Sequence, residues 1–268
     1  MYLSAHHDPK KRDDMSERRP WTKEELIIAV NLYCKTPFGK IHVRNPQIIE
    51  LSEKLGRSPG SVSYKLANFA SLDESIDRRG TSNVSKLDRE VWQEFYSNWE
   101  EMAYQSERLM AEKFGREERD FVRIEETAEI EEGKTMEAIV KTRVNQRFFR
   151  KTILAAYNST CCITGICTPD LLIASHIIPW SEDTRNRLNP RNGLCLNALH
   201  DRAFDKGLIT VTEDYRVLVS PRLRSRKNIS ADSYFLRYEN SRISLPNRFL
   251  PDPAFLSYHR ENVFKPER

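Results

Sequence analysis

The sequence predicts an α+β protein with a helical first half and a mixed second half. Three observations carry this reading. Between Trp21 and Lys113, apolar residues recur at three- to four-residue spacing behind helix-capping residues. Between Leu171 and Gly207, a short apolar run, a turn and a helical stretch follow one another. Two β-rich runs, 208–212 and 215–219, then flank Glu213-Asp214 as a hairpin does.

Composition sets the bounds. At 268 residues, 39% of them apolar and 31% charged, the chain can bury one or two modest cores in water. No apolar run reaches the roughly 20 residues that span a bilayer, and residues 1–20 lack the apolar centre of an export signal, so the expected setting is cytoplasmic with no membrane contact. Five cysteines, an odd number, point to reduced thiols rather than a disulfide framework. A net charge of +4 is too small to indicate a nucleic-acid partner by itself, but its distribution is uneven.

Residues 1–20 read as a flexible arm, with His6, His7, Lys10, Lys11 and Arg12 among acids and few apolar residues. Residues 21–85 read as a helical domain. Thr22 caps the first helix with Glu25 three residues on, and Leu26, Ile27, Val30 and Tyr33 form its apolar stripe. Asn45 caps the second, Pro46 takes its first position, Ile48, Ile49, Leu51 and Leu55 face inward, and Gly56 ends it. A third helix starts after a very short turn, with Val62, Leu66 and Phe69 on one face. Helix, tight turn, helix is a geometry that reads DNA, here with Ser61, Ser63, Tyr64, Lys65 and Asn68 outward and Arg57, Lys65, Arg78 and Arg79 available to phosphates. A plain helical bundle with a solvated face fits the same pattern.

Residues 86–140 read as a helical spacer. Leu87, Val91, Phe95, Trp99, Met102, Leu109 and Met110 predict one long amphipathic helix over 86–113, with Trp92, Tyr96 and Trp99 used for packing. Residues 112–137 are acid-rich and broken by Gly115 and Gly133, as a linker is. The last unit, 141–268, opens on a helix with a basic face, on which Arg143, Arg147 and Arg150 are placed to hold a phosphodiester backbone. Leu171 to Ala174 then deliver Ser175 and His176 on a strand ending near Pro179. Asn192-Gly193 forms a tight turn, both residues tolerating positive φ. Leu196, Leu199, Ala203 and Phe204 place His200 on a helix that Gly207 closes.

Three ordered motifs, Ser175-His176-Ile-Ile-Pro179, Asn192-Gly-Leu-Cys-Leu-Asn-Ala-Leu-His200 and Asp201-Arg-Ala-Phe-Asp205-Lys-Gly207, make this unit resemble the HNH nuclease family of ββα-metal fold. The resemblance spans about residues 141–220, including Arg143-Val-Asn-Gln146-Arg-Phe-Phe-Arg150 and Cys162-Ile-Thr-Gly165, and leaves the first half unexplained. It implies metal-dependent hydrolysis of DNA, in prokaryotes commonly for restriction or anti-phage defence. It also implies His176 as general base, Asn192 as the residue that pins the loop and orients it, and His200 as a ligand of one divalent ion. Asp201 and Asp205, four apart on one helix face, can complete the metal shell, with Lys206 beside them for phosphate.

Two departures qualify the resemblance. Many members carry Asp, Glu or His immediately before the base histidine, whereas this chain has Ser175, which favours an oxygen-rich Mg²⁺ or Mn²⁺ site over catalytic zinc. Related nucleases often hold structural zinc with two Cys-x-x-Cys pairs. Here Gly165 and Ala198 stand at the partner positions of Cys162 and Cys195, so structural zinc is not expected. A non-catalytic DNA-binding or regulatory protein that retains the scaffold is the competing reading, with Ser175 as its sign. DNA is the expected partner. A double-strand cut calls for two sites and hence a homodimer, while one site suffices to nick, and a defence role implies a partner protein. Beyond the hairpin, Arg222, Arg224, Arg226 and Lys227 form a basic cluster, and the proline-rich stretch from Ser241 reads as an extended wrap.

Overall fold

The computed structural model describes residues 19–75, 83–116, 136–224 and 230–266. The expectations for the arm over 1–18, for Arg78 and Arg79, for the acidic segment 117–135 and for Arg226 and Lys227 lie outside these residues. Among the described residues, helices and two two-stranded antiparallel sheets make up the chain, and no helix is long and apolar enough to cross a membrane.

Helix α1 (Lys23–Lys35) is the centre of the first half. Its N-terminus carries the expected capping box, in which Thr22 accepts from the Glu25 amide and the Glu25 carboxylate accepts from the Thr22 amide. The expected one-sided stripe is wider than predicted. Every residue from Glu25 to Cys34 is buried, because the helices Pro59–Ala70, Lys86–Ser97, Trp99–Phe114 and Met136–Ala156 surround it. Helices α2 (Pro46–Leu55) and α3 (Pro59–Ala70) start at the Asn45 and Ser58 caps, and Gly56 ends α2 at φ +61°. Ile49, expected inward, is partly exposed.

The single long helix predicted over 86–113 is two helices, α4 (Lys86–Ser97) and α5 (Trp99–Phe114). Asn98 makes the break. Its backbone, at φ −153° and ψ 73°, leaves the helical region, and its side chain accepts from the Glu101 amide to cap α5. Neither helix is a detached spacer: Trp92, Phe95 and Trp99 join Tyr33 and Phe69 in an aromatic cluster with centroids about 5.6–6.4 Å apart. Packing, as expected from their spacing, is what these aromatics do.

Helix α6 (Met136–Ala156) links the halves by packing on α1 and α5 and on the sheet of the second half. Strand β1 (Leu172–His176) pairs antiparallel with β2 (Gly193–Asn197), Leu172 opposite Asn197 and His176 opposite Gly193. Helix α7 (Ala198–Asp205) follows directly. The strand–loop–helix reading therefore missed a strand. Leu196, assigned to the helix, lies in β2, whose five residues are all buried, and the helix waits for the Asn197 cap. Leu199 is consequently exposed rather than inward. Gly193 does not supply positive φ; it is extended at φ −133°, and a Cβ there would lie 2.3 Å from Ile153 Cδ1. Close approach of α6 to the sheet is what its missing side chain permits.

Strands β3 (Ile209–Val211) and β4 (Val217–Val219) form the predicted hairpin. The chain then passes through a short helix, α8 (Ala231–Tyr234), and the tail inserts Phe249 into the aromatic cluster beside Tyr33, Trp92 and Trp99. Fully buried Arg248 donates to the Cys34 and Thr36 carbonyls, and Asp73 accepts from the Phe249 amide. The wrap thus ties the two halves together. It ends in a helix that was not expected, α9 (Pro253–Asn262), although Asp252 as cap and Pro253 at the first position were its signals.

Candidate nuclease site

The second half opens a cleft of about 380 Å³ between β1, the start of the loop after it, α7 and α9, lined among others by Ser175, His176, Trp180, Asp201 and Asp205. The cleft brings two histidines, His176 and His259, and two carboxylates together. Register places His176 at the end of β1, opposite Gly193, with its ring stacked on Phe149 of α6 at 4.2 Å and met edge-on by Trp180 at 5.3 Å. Burial lowers its pKa below the ordinary histidine value, only partly offset by the hydrogen bond to Arg187. The imidazole is therefore neutral near pH 7. Its Nε2 lies 2.8 Å from the Arg187 carbonyl oxygen, which can only accept, so Nε2 carries the proton and Nδ1 keeps its lone pair.

Asn192 is completely buried and fixes the loop that holds this carbonyl. Its Oδ1 accepts from the Ile178 amide at 2.8 Å, and its Nδ2 donates to the Ile178 and Asn186 carbonyls. It touches both ends of the 178–192 excursion without contacting the imidazole through a side-chain hydrogen bond.

On α7, Asp201 and Asp205 are one turn apart and both face the cleft. Burial raises both carboxyls, and the neighbouring charge of Asp205 raises Asp201 further, while Arg202 acts in the opposite direction on both and Lys206 on Asp205. Ser175 Oγ is buried without a well-formed hydrogen bond. Its hydroxyl favours the ionised form of Asp201. Two neighbouring carboxylates beside a buried hydroxyl form a hard, oxygen-rich surface that suits a divalent cation. Among the described residues no three or more His, Cys, Asp and Glu come together as a metal cluster, so such a cation would rest on two protein carboxylates and complete its shell with water and phosphate oxygens.

His200 departs from its sequence-based assignment. It does not line the cleft, since adjacent residues on a helix project about 100° apart. Buried at 3% exposure, it donates its amide to Asn197 Oδ1, which also lies 3.1 Å from Nδ1, and it packs against Phe235 and Tyr238. Burial lowers its pKa, the Tyr234 carbonyl offsetting this only in part, and Nε2 makes no well-formed hydrogen bond.

The basic residues chosen from the sequence scatter. Arg57 pairs with Glu25 at 2.6 Å, donates to the Arg19 and Pro20 carbonyls and lies over Trp21. Lys65, expected outward, is buried and bridges both oxygens of fully buried Asp88 at 2.8 and 2.9 Å; Asn68 is buried as well. Arg150 donates to the Leu172 and Pro169 carbonyls and so anchors β1. Arg147 is exposed in a separate groove with Lys35, Arg116 and Lys151, Arg143 is half-buried on α6, and Lys206 is exposed at the end of α7.

Residues 161–212 match the family model HNH_2, described as HNH endonuclease. No curated protein matches the chain. The matched span contains β1, β2, α7, β3 and every polar cleft residue discussed above, and it supports a nuclease-type function. Sequence reasoning did not select Arg187, Phe149, Trp180 or His259. Trp180 adjoins the Ser175–Pro179 motif, and Phe149 lies in the segment leading to it, but nothing local marks a carbonyl at 187 as a partner of His176. His259 stacks on Phe204 and has both ring nitrogens engaged, with Thr210 and the Phe204 carbonyl. Burial pushes its pKa down to about 4, which suits a structural imidazole.

Proposed function

We propose that the protein is an HNH-type endodeoxyribonuclease in which His176 is the general base and Asp201 and Asp205 hold one Mg²⁺ or Mn²⁺. The observation that carries this reading is the neutral His176, with Nδ1 free, sharing one cleft with two adjacent carboxylates. In the reaction, water approaches His176 Nδ1, which takes its proton as the water oxygen bonds to phosphorus and the opposite P–O bond breaks. A bound divalent ion would supply charge stabilisation at the scissile phosphate and the leaving oxygen. Asn192 keeps the loop behind the base closed, and exposed Lys206 stands where the DNA backbone passes α7. The proposed setting is prokaryotic restriction or anti-phage defence, as the motif resemblance implies. Sequence readout by α2 and α3 would rest on exposed Tyr64 and its neighbours rather than on Arg57 or Lys65.

The alternative, a DNA-binding protein without catalysis, draws on Ser175 standing where an acidic or histidine ligand is common and on a site with only two carboxylates. Incubating supercoiled plasmid with the protein and its His176→Ala variant in EDTA, Mg²⁺ or Mn²⁺ separates the two. Metal-dependent relaxation or linearisation by the parent alone is expected. Binding without cleavage in every metal would favour the alternative.

A further inference from the structure

The general base is held from outside the matched nuclease span. Among the described residues, Arg187, whose carbonyl receives the His176 Nε2 proton, finds the hydrogen-bond partner of its side chain outside the ββα unit. Its guanidinium instead reaches the first turn of α5, where Nη2 lies 2.7 Å from both carboxylate oxygens of Glu100 and Nε lies 3.1 Å from one of them. Such a two-point grip fixes orientation as well as position. The same guanidinium covers Trp180 at 4.9 Å, and Trp180 in turn meets the His176 ring edge-on. Glu100 itself is oriented by its place in the first turn of α5 behind the Asn98 cap, where the helix dipole favours a carboxylate.

We infer that Glu100 is a positioning residue for catalysis: by gripping Arg187 it presents the Arg187 carbonyl to His176 and so fixes the tautomer in which Nδ1 is free to take a proton. This inference rests on the nuclease reading for its kinetic consequence, but not for its structural one. It also gives the helical half a role in the chemistry, since a shift of α5 relative to the sheet would release the carbonyl and let the imidazole populate its other tautomer.

The test measures tautomer and turnover separately in full-length protein. Imidazole ¹⁵N spectra, with His176 assigned by its loss in His176→Ala, are expected to show Nε2–H alone in the parent and a mixture of tautomers in Glu100→Gln. Plasmid cleavage by Glu100→Gln is expected to lose about tenfold in kcat, with KM for DNA within about twofold, as displacement of a positioned group does. The Glu100→Arg/Arg187→Glu exchange should recover a single tautomer and most of kcat. Lys141→Ala, which removes the adjacent Glu101–Lys141 pair at 2.7 Å, controls for general loosening of α5 and should change neither readout. A single Nε2–H tautomer and parental kcat in Glu100→Gln would overturn the inference. A parent that cuts no DNA would instead defeat the nuclease reading, and the tautomer spectra would still decide the positioning claim.

Discussion

The two halves of the molecule treat charge in opposite ways. In the helical half Lys65 and Arg57 are each matched by a carboxylate: Lys65 bridges Asp88, Arg57 pairs with Glu25, and the Asp88 carboxylate also accepts from the Ser85 amide to close a capping box. At the cleft, Asp201 and Asp205 sit beside each other with raised pKa values, Ser175 Oγ lacks a well-formed bond, and His176 keeps one nitrogen unused. Balanced buried charge holds a structure, whereas imbalance held in place by the surrounding fold is what chemistry requires. The contrast therefore locates function more sharply than the abundance of basic residues does.

The largest effect should follow from removing the base. His176→Ala is expected to lower plasmid cleavage by about 10²- to 10⁴-fold, the usual range for a positioned general base, while circular dichroism stays that of the parent. Removing charge from the cleft should then have two opposite consequences. Asp201→Asn is expected to weaken Mg²⁺ or Mn²⁺ binding at least about tenfold, because half of the protein's carboxylate shell is lost. In EDTA, however, the same variant should melt slightly higher than the parent near neutral pH. The folded pKa of Asp201 lies above its ordinary value, so the proton-bound form favours the folded state and that contribution disappears as pH rises through the folded pKa. A drop in melting temperature would contradict the charge imbalance assigned to the cleft.

The helical half should answer differently. Lys65→Ala leaves Asp88 buried without its cation and is expected to cost about 3 kcal/mol in urea denaturation. The salt dependence of DNA binding should be unchanged, because Lys65 neutralises a carboxylate rather than a phosphate. A reduced salt slope would return Lys65 to the DNA surface. The smallest effect concerns pH. Since burial lowers the His176 pKa, the neutral base is already dominant at pH 6.5, so cleavage should fall only below that value and be level above it. The same depressed pKa contributes stability above the unfolded value that is lost as pH falls through the folded one.

Much of this was legible in the sequence where the signal is local. The Thr22 and Asn45 caps, the Gly56 stop and the 209–219 hairpin are set by neighbouring residues, and the structure has them where expected. His176, Asp201 and Asp205 follow one another in a linear motif, and the fold brings them to one cleft. What escaped depends on position in space. A five-residue strand is too short for periodicity to separate from the start of a helix, so β2 was read into α7. Neighbouring residues on a helix project about 100° apart, so of the expected metal residues Asp201 lines the cleft with Asp205 and His200 does not. Lys65 looked like a phosphate contact because its partner Asp88 is 23 residues away in the chain. Glu100 and Arg187, 87 residues apart, have no sequence signal that joins them.

The assignment of the metal-holding residues is tested most directly by Mn²⁺ titration followed by electron paramagnetic resonance, on the parent and on Asp201→Asn, Asp205→Asn and His200→Ala. One Mn²⁺ per chain in the parent, lost or at least about tenfold weaker in either aspartate variant and retained in His200→Ala, is the predicted result. Retention by both aspartate variants with loss in His200→Ala would contradict it and move the metal to the His200 side of α7.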